Sequence, residues 1–149
     1  DKSKIIANKV DGLMQLEGSS PIFFISNKNR ASTFQNSQSL PDRIARGRSV
    51  YMENCMACHQ KDGRGIKGVF PPLAASDFLN KNKKRAISIV KNGIEGEIVV
   101  NGIAYNSTMA ALKLSNEEIA DVLTFLYNSW GNSKKTVRPA EVKSIISNY

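Results

Sequence analysis

Histidine is nearly missing from this chain: there is one in 149 residues, beside two cysteines and one tryptophan. So small a set excludes a zinc ribbon, a disulfide-rich scaffold and any metal site that needs two histidines. Long apolar runs are missing too. The longest, such as Ile22–Ile25, have four residues, against the roughly 20 that a membrane-spanning helix requires. Acidic residues are in deficit, 13 against 21 Lys and Arg, which leaves a net charge of +8. That excess suits an acidic partner, an anionic surface or a nucleic acid. No aromatic platform or nucleic-acid motif accompanies it, so nucleic acid is set aside. Hydrophobic residues at 41% and charged residues at 23% exclude a disordered chain. The length suffices for one domain with an appendage.

What is there is concentrated. Both cysteines and the histidine fall in one stretch, Cys55-Met-Ala-Cys58-His59. The pattern C-x-x-C-H marks attachment of a c-type haem. Two thiols three positions apart on a helical turn can bond the two vinyl groups on one porphyrin edge. The next residue then places an imidazole under the iron. A thioredoxin-like redox pair would follow a strand and would need no histidine. Here the preceding run, Arg43–Met56, reads as a helix. Covalent haem attachment is a process of exported bacterial proteins, which predicts a periplasmic location. The chain starts at Asp1 with neither Met nor a signal peptide, which reads as a mature or trimmed chain.

Residues 1–40 differ from the rest. Ile5, Ile6, Val10, Leu13 and Leu16 have partly helical spacing, interrupted by Gly12. Pro21–Ile25 reads as a short strand or apolar clasp, and residues 26–40, rich in Ser, Asn and Gln, as a linker. Pro41 and Asp42 open a helix that runs to about Met56, with Ile44, Gly47, Val50 and Tyr51 on one face. Residues 61–76 hold too many glycines and prolines for a regular element. A phosphate loop there lacks the Gly-Lys-Ser/Thr ending and a preceding strand. A second helix spans roughly Asn82–Asn92, with Ala86, Ile87, Ile89 and Val90 on its apolar side. Asn101-Gly102 between two short apolar runs predicts a hairpin over residues 97–106. Ser115 and Glu118 form a capping box for a last helix that carries Ile119, Val122, Leu123, Phe125, Leu126 and Trp130, with Gly131 after its end. Residues 132–149 read as a basic peripheral tail.

With His59 on one side of the iron, the sixth ligand is Met, Lys, Tyr, a terminal amine, water or nothing. Met109 is the leading candidate: it lies in a loop fifty positions after His59 that can reach the far face. Met56 is inside the haem-binding turn, Met52 reads as core, and Met14 sits in the N-terminal segment. A thioether opposite histidine raises the reduction potential.

In this order the pieces resemble class I c-type cytochromes over about residues 41–131. The resemblance implies a mainly α fold: three main helices around one covalent haem, a small β-hairpin before the Met loop, and here an extra N-terminal segment. It implies that the first and last helices cross at Gly47 and Tyr51 against Val122, Phe125 and Leu126. It also implies that Pro71, with Pro72 and Leu73 close behind, supplies a carbonyl to the proximal imidazole. The stretches Gly68–Leu79, Val100–Met109 and Leu123–Asn132 are similar to the cytochrome c domain fused to some copper nitrite reductases, and also to free periplasmic cytochromes. Residues 7–18 resemble the closing strand of a cupredoxin domain. The partner implied is a redox protein with an acidic docking surface, such as a copper nitrite reductase or its copper domain, and with it denitrification.

The expected function is one-electron transfer by a His/Met-ligated haem c, as a carrier or as the electron-entry part of a larger reductase, not as an enzyme in itself. Lys61, Arg64, Lys67, Lys113 and the Lys81–Arg85 cluster are candidates for steering an acidic partner. The alternative is a nitric oxide- or carbon monoxide-binding haem protein. It is motivated by Met109-Ala-Ala-Leu112, where the family commonly has two prolines and a stiffer loop.

Overall fold

The structure is a computed structural model that describes residues 38–148. The readings made above for residues 1–37, Met14 and the Pro21–Ile25 segment included, lie outside the described residues.

Helix α1 runs Leu40–Asn54. Ser39 caps it by accepting from the Asp42 amide, Pro41 sits in the first turn, and Asp42 faces the positive end of the helix dipole. Its buried stripe is Arg43, Gly47 and Tyr51, spaced at four, with Ile44 and Val50 half-buried beside it. The helix does not continue to Met56 as the periodicity predicts. Cys55 is a turn residue still in the right-handed helical region (φ −118°, ψ −34°), and a short helix α2, Met56–His59, follows at once. Gln60 then reverses the chain with φ 66°.

Two helices follow the Gly/Pro loop. The first, α3 (Asp77–Lys81), was not read from the sequence; Ser76 caps it by accepting from Leu79 N–H. The second, α4 (Lys83–Asn92), is capped by Asn82, and Gly93 closes it at φ 76°. Strands β1 (Glu97–Val100) and β2 (Ile103–Asn106) pair antiparallel with Val100 opposite Ile103. Asn101 and Gly102, at φ 51° and 78°, form the turn that their sequence predicts. Asn101 also exchanges two hydrogen bonds with Asp77, which ties the hairpin to α3.

Helix α5 (Asn116–Tyr127) begins at the expected Ser115/Glu118 capping box and is buried at every position from Ile119 to Tyr127. A helix buried all round is a core helix, and α1 crosses it where α1 has no side chain. A Cβ on Gly47 would overlap the Asp121 carbonyl and lie 2.8 Å from Phe125 Cβ. Gly47→Ala gains about 1 kcal/mol of helix propensity. It meets backbone that cannot move aside, an overpacking cost of about 1–3 kcal/mol or more. A net loss of stability is expected in urea denaturation; a stabilised variant would mean that the helices do not approach this closely.

The C-terminal residues correct the sequence reading. The described part of the expected tail, residues 132–148, is not peripheral: α6 (Pro139–Ile146) packs on α5 and α4, and Val137 and Val142 are fully buried. Val142, Ile145 and Ile146 supply an apolar face that the surrounding lysines hide in a composition count. Lys83 of α4 pairs with Glu141 at 2.6 Å, and Arg43 of α1 donates to the Val137 carbonyl at 2.5 Å. Trp130 is likewise not part of the last helix. It lies beyond the Asn128 cap with φ 50°. It still reaches the helix crossing: Tyr51, Phe125 and Trp130 form a ring cluster with centroids 5.3–5.6 Å apart.

Candidate cofactor site

The turn at Cys55 sets the site. As the first turn of α2 forms there, the carbonyl of Cys55 accepts from both Cys58 N–H (3.3 Å) and His59 N–H (3.0 Å). This tight turn presents two thiols and an imidazole together. Tyr51, fully buried, donates its hydroxyl to Gln60 O at 2.6 Å and pins the far end of the turn. Both cysteines are free thiols, Cys55 half-buried and Cys58 exposed. Burial, followed by the neighbouring Cys58, pushes the Cys55 thiol up to about 11, the opposite of the shift that activates a C-x-x-C nucleophile.

His59 is buried, and its Nδ1 lies 2.9 Å from the Pro71 carbonyl. A carbonyl only accepts, so Nδ1 carries the proton and Nε2 keeps its lone pair. Burial lowers the pKa of the imidazole, against the raising effect of the Pro71 carbonyl, and the neutral ring is the form that ligates metals.

The loop that carries Pro71 is held from several sides. Gly65 N–H donates to His59 O, and the amides of Leu73 and Ala74 both donate to Gly63 O. Gly63 takes φ 70°, and a Cβ there would strike the Trp130 ring at 2.5 Å. Gly65 takes φ 62°, with no room for a Cβ against Pro71 O at 2.7 Å. Thus two of the glycines that suggested a phosphate loop are there for positive φ and close packing. Asn132 completes the support. Buried after α5, it donates to Leu73 O and Leu126 O and accepts from Ser76 N–H and Asn80 Nδ2. Sequence reasoning gave Asn132 no role, because its partners are up to 59 positions away.

Met109 forms a two-bond bridge with Ile94: its N–H donates to Ile94 O (2.9 Å) and its carbonyl accepts from Ile94 N–H (3.0 Å). Leu112 N–H donates to Val90 O, and Gly93 packs directly under the Met109 carbonyl. The Ala-Ala pair therefore does not leave the loop loose. Pairing with Ile94 and Val90 supplies restraint of the kind that prolines would give.

All seven residues singled out from the sequence, Cys55, Cys58, His59, Pro71, Pro72, Leu73 and Met109, line one cavity of about 350 Å³. Leu79, Val90, Ile98, Val100 and Val122 make most of the remaining wall apolar. Among the described residues no group of three or more His, Cys, Asp or Glu could hold a bare metal ion. Two thiols, one imidazole and one thioether in an apolar pocket instead fit a large flat apolar group. Such a group would be attached at one edge and bear a metal at its centre.

Charge around the site is more sparing than the sequence suggests. Lys61, Arg64, Lys67, Lys81, Lys84 and Lys113 are exposed. Lys83 and Arg85 are half-buried and committed, the first to Glu141 and the second to the Phe78 carbonyl and ring. Ile66 and Val69, 45% and 48% exposed, lie in the loop whose Phe70 and Pro71 line the cavity.

Residues 44–130 match the family model described as Cytochrome c. Over 96 residues the chain is 41% identical to cytochrome c-552 of Thermus thermophilus, covering 61% of this chain and 72% of that protein. It is 30% identical over 109 residues to the cytochrome c subunit of alcohol dehydrogenase (quinone) from Gluconobacter oxydans (strain 621H), covering 66% of this chain. It is 34% identical over 106 residues to the gluconate 2-dehydrogenase cytochrome c subunit of Pantoea cypripedii, again covering 66% of this chain. The chain spans 21% and 23% of those two subunits' lengths.

Proposed function

We propose that this chain, which belongs to the cytochrome c family, moves single electrons through one haem c held by Cys55, Cys58, His59 and Met109. The observation that carries this reading is the convergence of two thiols, an imidazole and a methionine on one apolar cavity. Bound there, the haem supplies a one-electron ferric/ferrous couple. Cys55 and Cys58 would hold its vinyl edge. His59 would hold the iron through Nε2, while the Pro71 carbonyl, accepting from Nδ1–H, fixes the imidazole and raises its basicity. Met109 would hold the iron through sulfur, a soft neutral donor that would favour the ferrous state and raise the potential. The apolar wall would keep water away and so limit reorganisation on electron transfer.

The chain is an electron carrier rather than an enzyme in itself. Its partner, on our reading, is a redox protein with an acidic docking face. The sequence stretches around Met109 and after Gly68 favour a copper nitrite reductase, and with it denitrification. The relatives named as dehydrogenase cytochrome subunits favour a dehydrogenase as donor. Either would be met in the bacterial periplasm, where covalent haem attachment takes place. The cytochrome unit extends past the expected residues 41–131 to include α6, and residues 1–40 serve as linker or docking arm. Contact would be small and transient, over the apolar Ile66 and Val69 rimmed by Lys61, Arg64 and Lys67. Raising ionic strength should slow reaction with an acidic partner; a flat salt profile would sink the steering role of these cations.

Optical spectra of the purified protein, ferric and ferrous, with and without carbon monoxide, test the ligation. Low-spin spectra, a weak far-red sulfur-to-iron band in the ferric form and no carbon monoxide shift are expected. A high-spin ferric spectrum would overturn His/Met ligation and return ligand binding to first place.

A further inference from the structure

Beyond the end of α5, Trp130, Gly131 and Asn132 close on the loop that carries Pro71. Asn132 is buried and its amide is fully used. Nδ2 donates to Leu73 O and to Leu126 O, both at 2.8 Å, and Oδ1 accepts from Ser76 N–H and from Asn80 Nδ2. A primary amide has two donor protons and two acceptor sites, so none is left over. Trp130 O accepts from Ala75 N–H at 2.9 Å. Both residues sit in the left-handed region, Trp130 at φ 50° and Ala75 at φ 45°. Residues other than glycine persist there only where their surroundings over-determine them. The Trp130 ring packs on Gly63, whose carbonyl receives the Leu73 and Ala74 amides.

The loop leaves few ways for the Pro71 carbonyl to turn. The proline rings fix φ at Pro71 and Pro72, and a following proline restricts ψ at Phe70 and Pro71. The Ile66–Phe70 bridge holds the chain on the N-terminal side. What remains is ψ of Pro72, which turns the Pro71 carbonyl relative to Leu73. Leu73 is gripped from two sides. Gly63 O takes its N–H, and Asn132 Nδ2 takes its carbonyl.

We propose that Asn132, backed by Trp130, is a positioning residue for the proximal ligand: it aims the Pro71 carbonyl at His59 Nδ1–H and so sets the orientation and basicity of the imidazole; this rests on the haem reading above. The Pro71 bond, at 2.9 Å, is the link through which it acts. Such a bond to a ligating imidazole fixes the ring and strengthens its donation. Asn132 touches neither His59 nor the cavity wall, so its effect is transmitted through Leu73, Pro72 and Pro71.

The test compares Asn132→Ala with Asn80→Ala in the haem-loaded protein. Asn80 is the matched loss. Its side chain donates to Ser76 O and to Asn132 Oδ1 and accepts from Ser133 N–H, but its hydrogen bonds go to neither Leu73 nor Pro71. Both variants should lose stability in urea. Two readouts follow the imidazole instead. The hyperfine-shifted haem methyl signals of the ferric protein, read by NMR, report the plane of the axial ring. Their pattern should change in Asn132→Ala and stay as in wild type in Asn80→Ala. A weakened Pro71 bond also makes the imidazole a poorer donor to ferric iron, so the reduction potential of Asn132→Ala should rise above that of the other two proteins. Patterns and potentials that move equally in the two variants, or in neither, would overturn the proposal. If Asn132→Ala does not fold, native-state hydrogen exchange of the wild type decides. The His59 Nδ1 proton should exchange in the same opening event as the amides of Leu73, Ala74 and Ser76. An Nδ1 proton that exchanges while those amides stay protected would overturn it. A wild-type protein with no haem spectrum at all would instead refute the haem reading itself, and this inference with it.

Discussion

Asp121→Ala is expected to lower the stability of the haem-loaded protein by about 3–5 kcal/mol, with its absorption spectrum unchanged. Asp121 is buried on α5 and receives two guanidinium groups from α1, Arg43 Nε on Oδ1 and Arg46 Nε on Oδ2, both at 2.7 Å. Arg43 is as buried as its partner, at 8% side-chain exposure each. It also donates to Thr124 Oγ1 and to Val137 O. Removing the carboxylate strands Arg43 with two neutral acceptors and no counter-charge, and the cost is the desolvation of a cation, not one lost hydrogen bond. Arg46, at 27% exposure, can turn to water, so Arg46→Ala should cost only about 1 kcal/mol. Replacing the buried pair together, as Arg43→Met with Asp121→Leu, should recover most of the loss, because neither charge then remains. Urea denaturation of the four proteins checks this. A loss below about 1 kcal/mol for Asp121→Ala would mean that water reaches Arg43 in the folded state. The variant should also loosen α6, since Arg43 is one of the groups that hold the approach to that helix. Hydrogen exchange along 137–146 should then rise before that of α5.

This ion cluster marks where the sequence stops being readable. Cys55, Cys58 and His59 are legible because attachment chemistry forces them to be contiguous. Ser115/Glu118 and Asn101-Gly102 are legible because caps and hairpin turns are settled within four residues. The Gly47 crossing was reachable through the family resemblance, since a mid-helix glycine has a cost that only close approach offsets. Arg43 and Asp121, by contrast, are 78 positions apart, and nothing local separates a buried arginine from an exposed one. The same holds for Asn132, whose four partners come from three segments. Helix α6 is a different failure. Its start signals are local, Pro139 in the first turn and Glu141 three positions after Arg138, whose amide it accepts from in the fold, and Val142, Ile145 and Ile146 have helical spacing. The basic net charge of the segment masks them. Lysines and arginines mark a solvated face, yet Lys83 and Arg43 show that the same residues also bind the C-terminal segment to the core.

Met109→Ala carries the largest functional consequence. On the His59/Met109 reading it should abolish the far-red ferric band, open the iron to carbon monoxide and lower the potential, because a soft thioether is replaced by water or nothing. A stability loss of about 2 kcal/mol should accompany it from the lost side chain alone. The fold should survive, since the loop is held by backbone: the Ile94–Met109 bridge and the Leu112–Val90 bond need no side chain. That anchoring makes the substitution a clean probe. The backbone stays, so the spectrum reports the ligand and not a collapsed loop. Met109→His sharpens the test, because a nitrogen donor presented by the same backbone should keep the iron low-spin while the far-red band is lost and the potential falls. Met52→Leu and Met56→Leu are the controls. Met52 belongs to α1 and Met56 to the turn between the two cysteines, the side of the cavity that His59 already serves. Both should leave spectrum and potential as they are. An unchanged spectrum in Met109→Ala, beside a changed one in Met52→Leu, would move the ligand to α1 and the iron with it. The bridged loop would then be wall rather than ligand, and the restraint on Met109 would need another reason.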